Sequence, residues 1–215
     1  MAMKKLKKEN VIRVMLVDDH SAFRRGMVAL IESEPDLQVV AEIGDGRQAL
    51  EVYRQHRPDV VLMDLRLPGM GGVEATLAIR KEFPDARVIV LTTFDMDEDI
   101  FRAIQSGAKS YLLKDTPDDE LAAAIRSVHA GKNILSDKLA WRLAERERRP
   151  ELTQREMDVL QMLIKGRSNK EIGSALFLCE DTVKAHFKTL FAKLKVQDRT
   201  EAAIHAIRHG IVHLE

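Results

Sequence analysis

The stretch "VMLVDDHSAFRRG", residues 14–26, decides how the first half of this chain is read. Four apolar residues run straight into two adjacent carboxylates, Asp18 and Asp19. The apolar run reads as a buried strand. Like charges at its end are poorly tolerated beside a core unless something cationic sits between them. The other ligands of that cation must come from elsewhere in the chain.

Outward from this stretch, residues 11 to about 130 alternate short β-branched runs with amphipathic segments. The runs are "VIRVMLV", "LQVVAEI", "DVVLM", "ARVIVL" and "SYLL", and the helical candidates lie near 21–34, 46–56, 72–83, 96–106 and 117–130. Strands that alternate with helices imply a parallel sheet covered on both faces. At this size the expected architecture is an α/β, flavodoxin-like fold with a five-stranded parallel sheet in the order 2-1-3-4-5. Its site lies beyond the carboxyl ends of the strands, where the first and third strands part.

That topology gathers the chemistry. Asp18 and Asp19 end the first strand, Asp64 the third in "VVLMDLRLPGMGG", Thr92 the fourth in "VIVLTTF" and Lys114 the fifth in "SYLLKD". Three carboxylates make a hard, oxygen-rich site suited to Mg²⁺, which shares its shell readily with a phosphoryl group. A lysine and a hydroxyl beside it suit stabilisation of a phosphoryl group in transfer. Asp64, alone on the central strand, is the natural nucleophile for an aspartyl phosphate. Taken singly, each residue is ordinary: an Asp after a strand commonly caps the next helix.

Composition and charge bound the rest. The chain has 215 residues, 45% hydrophobic and 32% charged, enough for two modest domains. A single cysteine, Cys179, excludes an intrachain disulfide. No apolar run approaches the roughly 18 residues of a membrane span, so no membrane role and a cytoplasmic location are expected. Net charge is zero, but it is unevenly spread: residues 10–130 balance to −7 and residues 165–199 to +4. Two pieces with different partners are implied.

After Gly131 the strand pattern stops. "SDKLAWRLAERERRP" reads as a charged linker helix ended by Pro150, with Trp141 either an interdomain anchor or a partly buried linker aromatic. Three segments follow: 11–130, a linker at 131–150, and a small all-α domain at 151–215. Within the last, Val183, Phe187, Leu190, Phe191 and Leu194 fall on one helical stripe, with Lys184 and Lys188 opposite. No acid occurs from Thr182 through Gln197, whereas Lys184, Lys188, Lys193 and Lys195 all do. With "NKEIGSALF" and the turn "LCED" before it, segment 180–194 reads as the recognition helix of a helix-turn-helix. A solvated lysine face is the alternative.

The motifs "VDDH", "LMDLRLPGMGG", "VLTTF" and "GAKSYLLKD" resemble the receiver domain of two-component response regulators. "LTQREMDVL", "GRSNKEIGSALF", "TVKAHFKTLFAKL" and "DRTEAAIHA" look like a LuxR-type DNA-binding domain, so that together the chain is similar to the NarL/FixJ family of transcription regulators. The resemblance implies that a sensor histidine kinase phosphorylates Asp64, that Asp18 and Asp19 hold Mg²⁺ with Asp64, and that Lys114 and Thr92 contact the phosphoryl group. Tyr111 matches the family's aromatic switch position; a half-buried strand tyrosine is the plainer reading. Lys184, Ala185 and Lys188 are then candidates for base-edge contact, and Thr182 and His186 for the DNA backbone.

The implied partners are promoter DNA, RNA polymerase and a second copy of the chain when phosphorylated, paired through the face of the fourth strand, fourth helix and fifth strand or through the first and fifth helices. The implied phosphoacceptor hydrolyses its own acyl phosphate and is no turnover enzyme. Two departures from the family stand out. Cys179 replaces a capping serine, where a small buried cysteine is expected, and Lys195 replaces a glycine. Leu67 before the loop proline is conservative, and Arg66 and Phe94 flank the pocket. An enzyme on the same fold is the competing reading, but a Gly/Thr-rich phosphate loop is missing after the first strand, and the acidic pair is adjacent instead of alternating. A DNA binder whose receiver only scaffolds a dimer would not need the five-residue pocket.

Overall fold

The computed structural model of the chain describes residues 11–93, 96–133 and 137–212. They divide into two compact units, the first holding the sheet and the second the last four helices. Phe94 lies outside the described residues.

The first unit builds the expected sheet. Strands β1 (Ile12–Val17), β2 (Leu37–Ile43), β3 (Val60–Met63), β4 (Val88–Thr92) and β5 (Ser110–Leu113) pair in parallel in the order β2-β1-β3-β4-β5. Helices α1 (Ser21–Ser33), α2 (Ala49–His56), α3 (Gly72–Glu82) and α4 (Asp97–Gln105) connect them, and α5 (Asp118–His129) follows β5. The segment read as one helix over 46–56 is a short 3₁₀ turn, Gly46–Gln48, running into α2; the Asp45 carboxylate accepts from the Arg47 amide at its start.

Why the strands are apolar without interruption follows from burial on both faces. Along β1, Ile12, Val14 and Leu16 join Met27 and Ile31 of α1 and Leu121, Ile125 and Val128 of α5 in one core. Met15 and Val17 point the other way, to Tyr53 of α2 and Ala75 and Ile79 of α3. Alternation of side chains along a strand thus feeds two cores from one hexapeptide.

Helix α6 (Asp137–Glu147) occupies part of the segment read as the linker, and its Trp141 is 66% exposed, more open than a partly buried aromatic. The second unit contains α7 (Gln154–Ile164), α8 (Asn169–Leu176), α9 (Glu180–Leu194) and α10 (Arg199–Arg208). Val159, Leu160 and Leu163 of α7, Ile172 of α8, Val183, Phe187, Leu190 and Leu194 of α9 and Ala202 and Ala206 of α10 form its core. The 4-3-4 spacing on α9 is one face of a helix, as the sequence pattern requires. Capping boxes start α7 and α8, each with a hydroxyl at the cap and a glutamate three residues on, Thr153 with Glu156 and Ser168 with Glu171.

Candidate functional sites: an acidic pocket and a basic helix

Strand register assembles the pocket. Val17 pairs with Met63, so Asp18 and Asp64 leave neighbouring strands side by side. Thr92 pairs with Leu113, which sets Lys114 one residue beyond, its amide donating to the Thr92 carbonyl at 2.8 Å. Strands lie about 4.8 Å apart, and β4 separates β5 from β3, so only a long side chain on β5 reaches the central carboxylates. Lys114 does: Nζ lies 2.6 Å from Asp64 Oδ2 and 2.6 Å from Asp18 Oδ2.

Asp18, Asp64 and Thr92 are buried, whereas Asp19 is exposed at the rim. Burial pushes the Asp64 carboxyl above the ordinary aspartate range, and hydrogen bonding and charge from Lys114 only partly oppose it. Shared with Asp18, the Lys114 ammonium offsets only part of the desolvation of Asp64. For Lys114, burial alone would lower the ammonium's pKa, but the bonds from Asp18 and Asp64 outweigh it and hold it above its usual value.

Two backbone features hold the loops in place. The Arg24 guanidinium, itself bonded to Glu42 at 3.2 Å, donates to the Asp18 carbonyl at 2.5 Å. Gly72 opens α3 directly against the Asp64 carbonyl oxygen, where a Cβ would collide with it, and its amide donates to the Leu65 carbonyl at 2.9 Å. The "PGMGG" segment therefore needs glycine there to fold back under Asp64.

Ligand atoms of Asp18, Asp19, His20 and Asp64 lie within 4.8 Å of one another. The donor set is mainly carboxylate oxygen, compatible with a Mg²⁺ site. His20 was not among the residues expected to matter. Its amide donates to Asp18 Oδ1 at 2.8 Å, and its Nδ1 lies 2.8 Å from Asp19 Oδ1. The only signal in the sequence was its position directly after the acidic pair. Tyr111, on β5, is 5% exposed, fully buried instead of half-buried.

The second site is the outer face of α9. Lys184, Ala185 and Lys188 are exposed along it, and Thr182 and His186 are half-buried beside them. Lys184 is bonded to Asp181 at 2.9 Å, so an acid one turn earlier does reach the basic face. Lys193 departs from the expectation of an outward charge. It turns inward, 2.6 Å from the buried Glu156 of the α7 capping box and 2.9 Å from the Glu151 carbonyl. A lysine near a helix end takes such a route when its stem can lie along apolar surface.

Both ends of α9 explain the two departures from the family pattern. Cys179 occupies the N-cap position without a side-chain cap bond, and its sulfur instead contacts the Thr182 hydroxyl at 3.0 Å. It is exposed, correcting the expected buried thiol, and the bond to Thr182 holds the thiol below its ordinary pKa. Lys195 is the C-cap in the left-handed conformation, with φ 56° and ψ 45°, which is why glycine suits the position.

Comparison with known proteins agrees with both halves. The response regulator receiver domain matches residues 14–126, and the luxR family of bacterial regulatory proteins matches residues 150–206. The transcriptional regulatory protein LiaR of Bacillus subtilis is 41% identical over 211 residues, covering 94% of this chain and 100% of its own. The response regulator protein VraR of Staphylococcus epidermidis is 38% identical over 206 residues, covering 94% and 99%. Among solved structures, the response regulator ChrA of a heme-sensing two-component system aligns with a TM-score of 0.57 at 36% identity, over 94% of this chain and 100% of that one. Among the described residues no helix is long and apolar enough to cross a membrane. With its receiver sheet followed by a luxR-type helical domain, the chain belongs to the NarL/FixJ family of response regulators and is a DNA-binding, two-component regulator of transcription.

Proposed function

We propose that Asp64 is the phosphoacceptor. One observation carries this reading: Asp64 stands buried at the end of the central strand, sharing the Lys114 ammonium with Asp18 at 2.6 Å. An Asp64 oxygen attacks the phosphorus of a phosphohistidine on a sensor histidine kinase. The P–N bond breaks, and the imidazole leaves with a proton. A Mg²⁺ ion held by Asp18, Asp19 and Asp64 would offset the carboxylate and phosphoryl charge during that approach. Lys114 and the Thr92 hydroxyl receive the equatorial oxygens, and hydrolysis of the acyl phosphate in the same pocket resets the protein.

The added charge of about −1.5 to −2 draws Lys114 and Thr92 inward. Because Tyr111 of β5 lies three residues before Lys114, the strand transmits the change to the surface used for a homodimer. In the dimer, Lys184, Ala185 and Lys188 of α9 read promoter base edges, while Thr182 and His186 touch the backbone. Bound there, the regulator acts on RNA polymerase in the cytoplasm. The functional segments are 11–130, 131–150 and 151–215.

Mass spectrometry after incubation with acetyl phosphate and Mg²⁺ tests the reading. Wild type should gain one phosphoryl mass and Asp64→Asn none, because an amide oxygen is too weak a nucleophile. Full labelling of the variant would refute the assignment. Light scattering with and without beryllofluoride tests assembly, where an unchanged mass would uncouple phosphorylation from dimer formation.

A further inference from the structure

Lys114 has a third neighbour besides its two carboxylates. Phe23 lies early in α1, and its half-buried ring faces the ammonium, with Nζ 4.7 Å from the ring centroid. The same ring borders two hollows. One lies beneath the carboxylates, among Asp18, Arg24, Leu62 and Asp64. The other is a surface groove beside α1 and the start of α5, lined by Gly26, Leu30, Leu113, Lys114 and Leu121. Phe23, Met27 and Leu91 border both, and so form the partition between them.

This partition bears on how the lysine works. An ammonium on a four-carbon stem samples many rotamers in water and is strongly hydrated. Between two carboxylates and an aromatic face, it keeps little room for water, and the negative face of the ring attracts it. We propose that Phe23 is a positioning residue of the phosphoryl site, holding the Lys114 ammonium over the carboxylates and closing the groove side of the pocket. Lys114 then meets the incoming phosphoryl oxygens already oriented, which is where preorganised charge contributes most. The inference rests on Asp64 as phosphoacceptor.

Beryllofluoride affinity of the full chain in Mg²⁺, followed by fluorine NMR, tests it with Phe23→Tyr and Phe23→Leu. Tyrosine retains the aromatic face and should bind within about twofold of wild type. Leucine retains apolar bulk without the ring quadrupole and should bind about 3- to 30-fold more weakly, with a shifted Lys114 ammonium resonance and a melting temperature close to wild type. Equal affinity in all three proteins overturns the inference. So does equal weakening in Tyr and Leu with a matching fall in melting temperature, since that marks packing alone. Wild type that binds no beryllofluoride, or binding undiminished in Asp64→Asn, refutes instead the phosphoacceptor reading and removes the basis of the inference with it.

Discussion

Lys114 and Lys184 carry the same ammonium in opposite surroundings. The Lys114 side chain is 9% exposed and sits between carboxylates that are themselves buried, whereas Lys184 is 62% exposed and its partner Asp181 is 88% exposed. A charge pair 4 Å apart is worth about 1 kcal/mol in water and about 4 kcal/mol at the effective dielectric near a protein surface. In the pocket, charge is therefore part of the fold. On α9 it is screened by solvent, and in the proposed DNA-binding role released counterions would supply the driving force. In the proposed roles, one site would sense a single phosphoryl group through strong, short-range coupling and the other would read a long duplex through many weak contacts.

The sharpest way to break this comparison is Lys114→Met. It leaves Asp18 and Asp64 facing each other without their cation, and removal of one partner from a buried pair costs about 3–5 kcal/mol. Urea unfolding of the variant should show that loss, and added Mg²⁺ should recover part of it. A loss below about 1 kcal/mol would mean that the pocket is as well solvated as the helix face.

On α9, Lys188→Ala should leave stability nearly unchanged but cost about 1–3 kcal/mol in binding at the preferred promoter site if the ammonium reaches a guanine edge. Contact with the backbone predicts near-uniform weakening on specific and scrambled duplexes, with a salt slope shallower by about one unit. Binding measured at several salt concentrations separates the two. If neither Lys184→Ala nor Lys188→Ala changes affinity or slope, the basic face is only solvated surface.

Glu156 with Lys193 lies between the two extremes. Burial alone would raise the Glu156 carboxyl, but the Lys193 ammonium and the bonds from Thr153 outweigh it and hold it below the ordinary glutamate value. A carboxyl with a depressed folded pKa adds stability that is complete above the unfolded value, about 4.3, and is lost as pH falls through the folded one. At neutral pH Glu156→Ala should therefore lose about 2 kcal/mol with its cap and ion pair, and that gap from wild type should shrink as pH falls below about 4.3, so the stability of the variant's second unit depends less steeply on acid. Identical acid profiles would remove Glu156 from this account.

The smallest effects sharpen the picture at the ends of α9. Serine at position 179 supplies the cap oxygen that the thiol does not, so Cys179→Ser should stabilise the second unit by about 1 kcal/mol. Lys195→Gly relieves a left-handed side-chain residue and should add about 0.5–1 kcal/mol. Thermal unfolding of each variant checks both, and the gains should add, because the two positions lie at opposite ends of a 15-residue helix.

Much of the first unit was legible because its strands and helices differ in period. "LQVVAEI" became β2 residue for residue, and "SYLL" became β5. Alternation indicated a parallel sheet, since parallel strands need helical crossovers, and the order 2-1-3-4-5 was the one expected of a flavodoxin-like domain of this size. Residues 46–56 were less legible: the Asp45 cap favours a tight 3₁₀ turn, and only the sequel continues as α-helix. On α9, the apolar period of 183, 187, 190 and 194 identified the buried face, but not which lysines on the remaining surface would face outward.

The sequence by itself determined the order of elements, the two classes of domain and the set of residues at the strand ends, because periodicity and strand-terminal position are local properties of the chain. Tertiary structure alone decided where long side chains ended. Lys114 crosses β4 to two carboxylates, Phe23 closes over it from α1, Lys193 turns in to Glu156, and Cys179 stays outside the core. Each depends on distances between elements far apart in sequence, and on the competition between hydration and burial at the place where a flexible stem arrives.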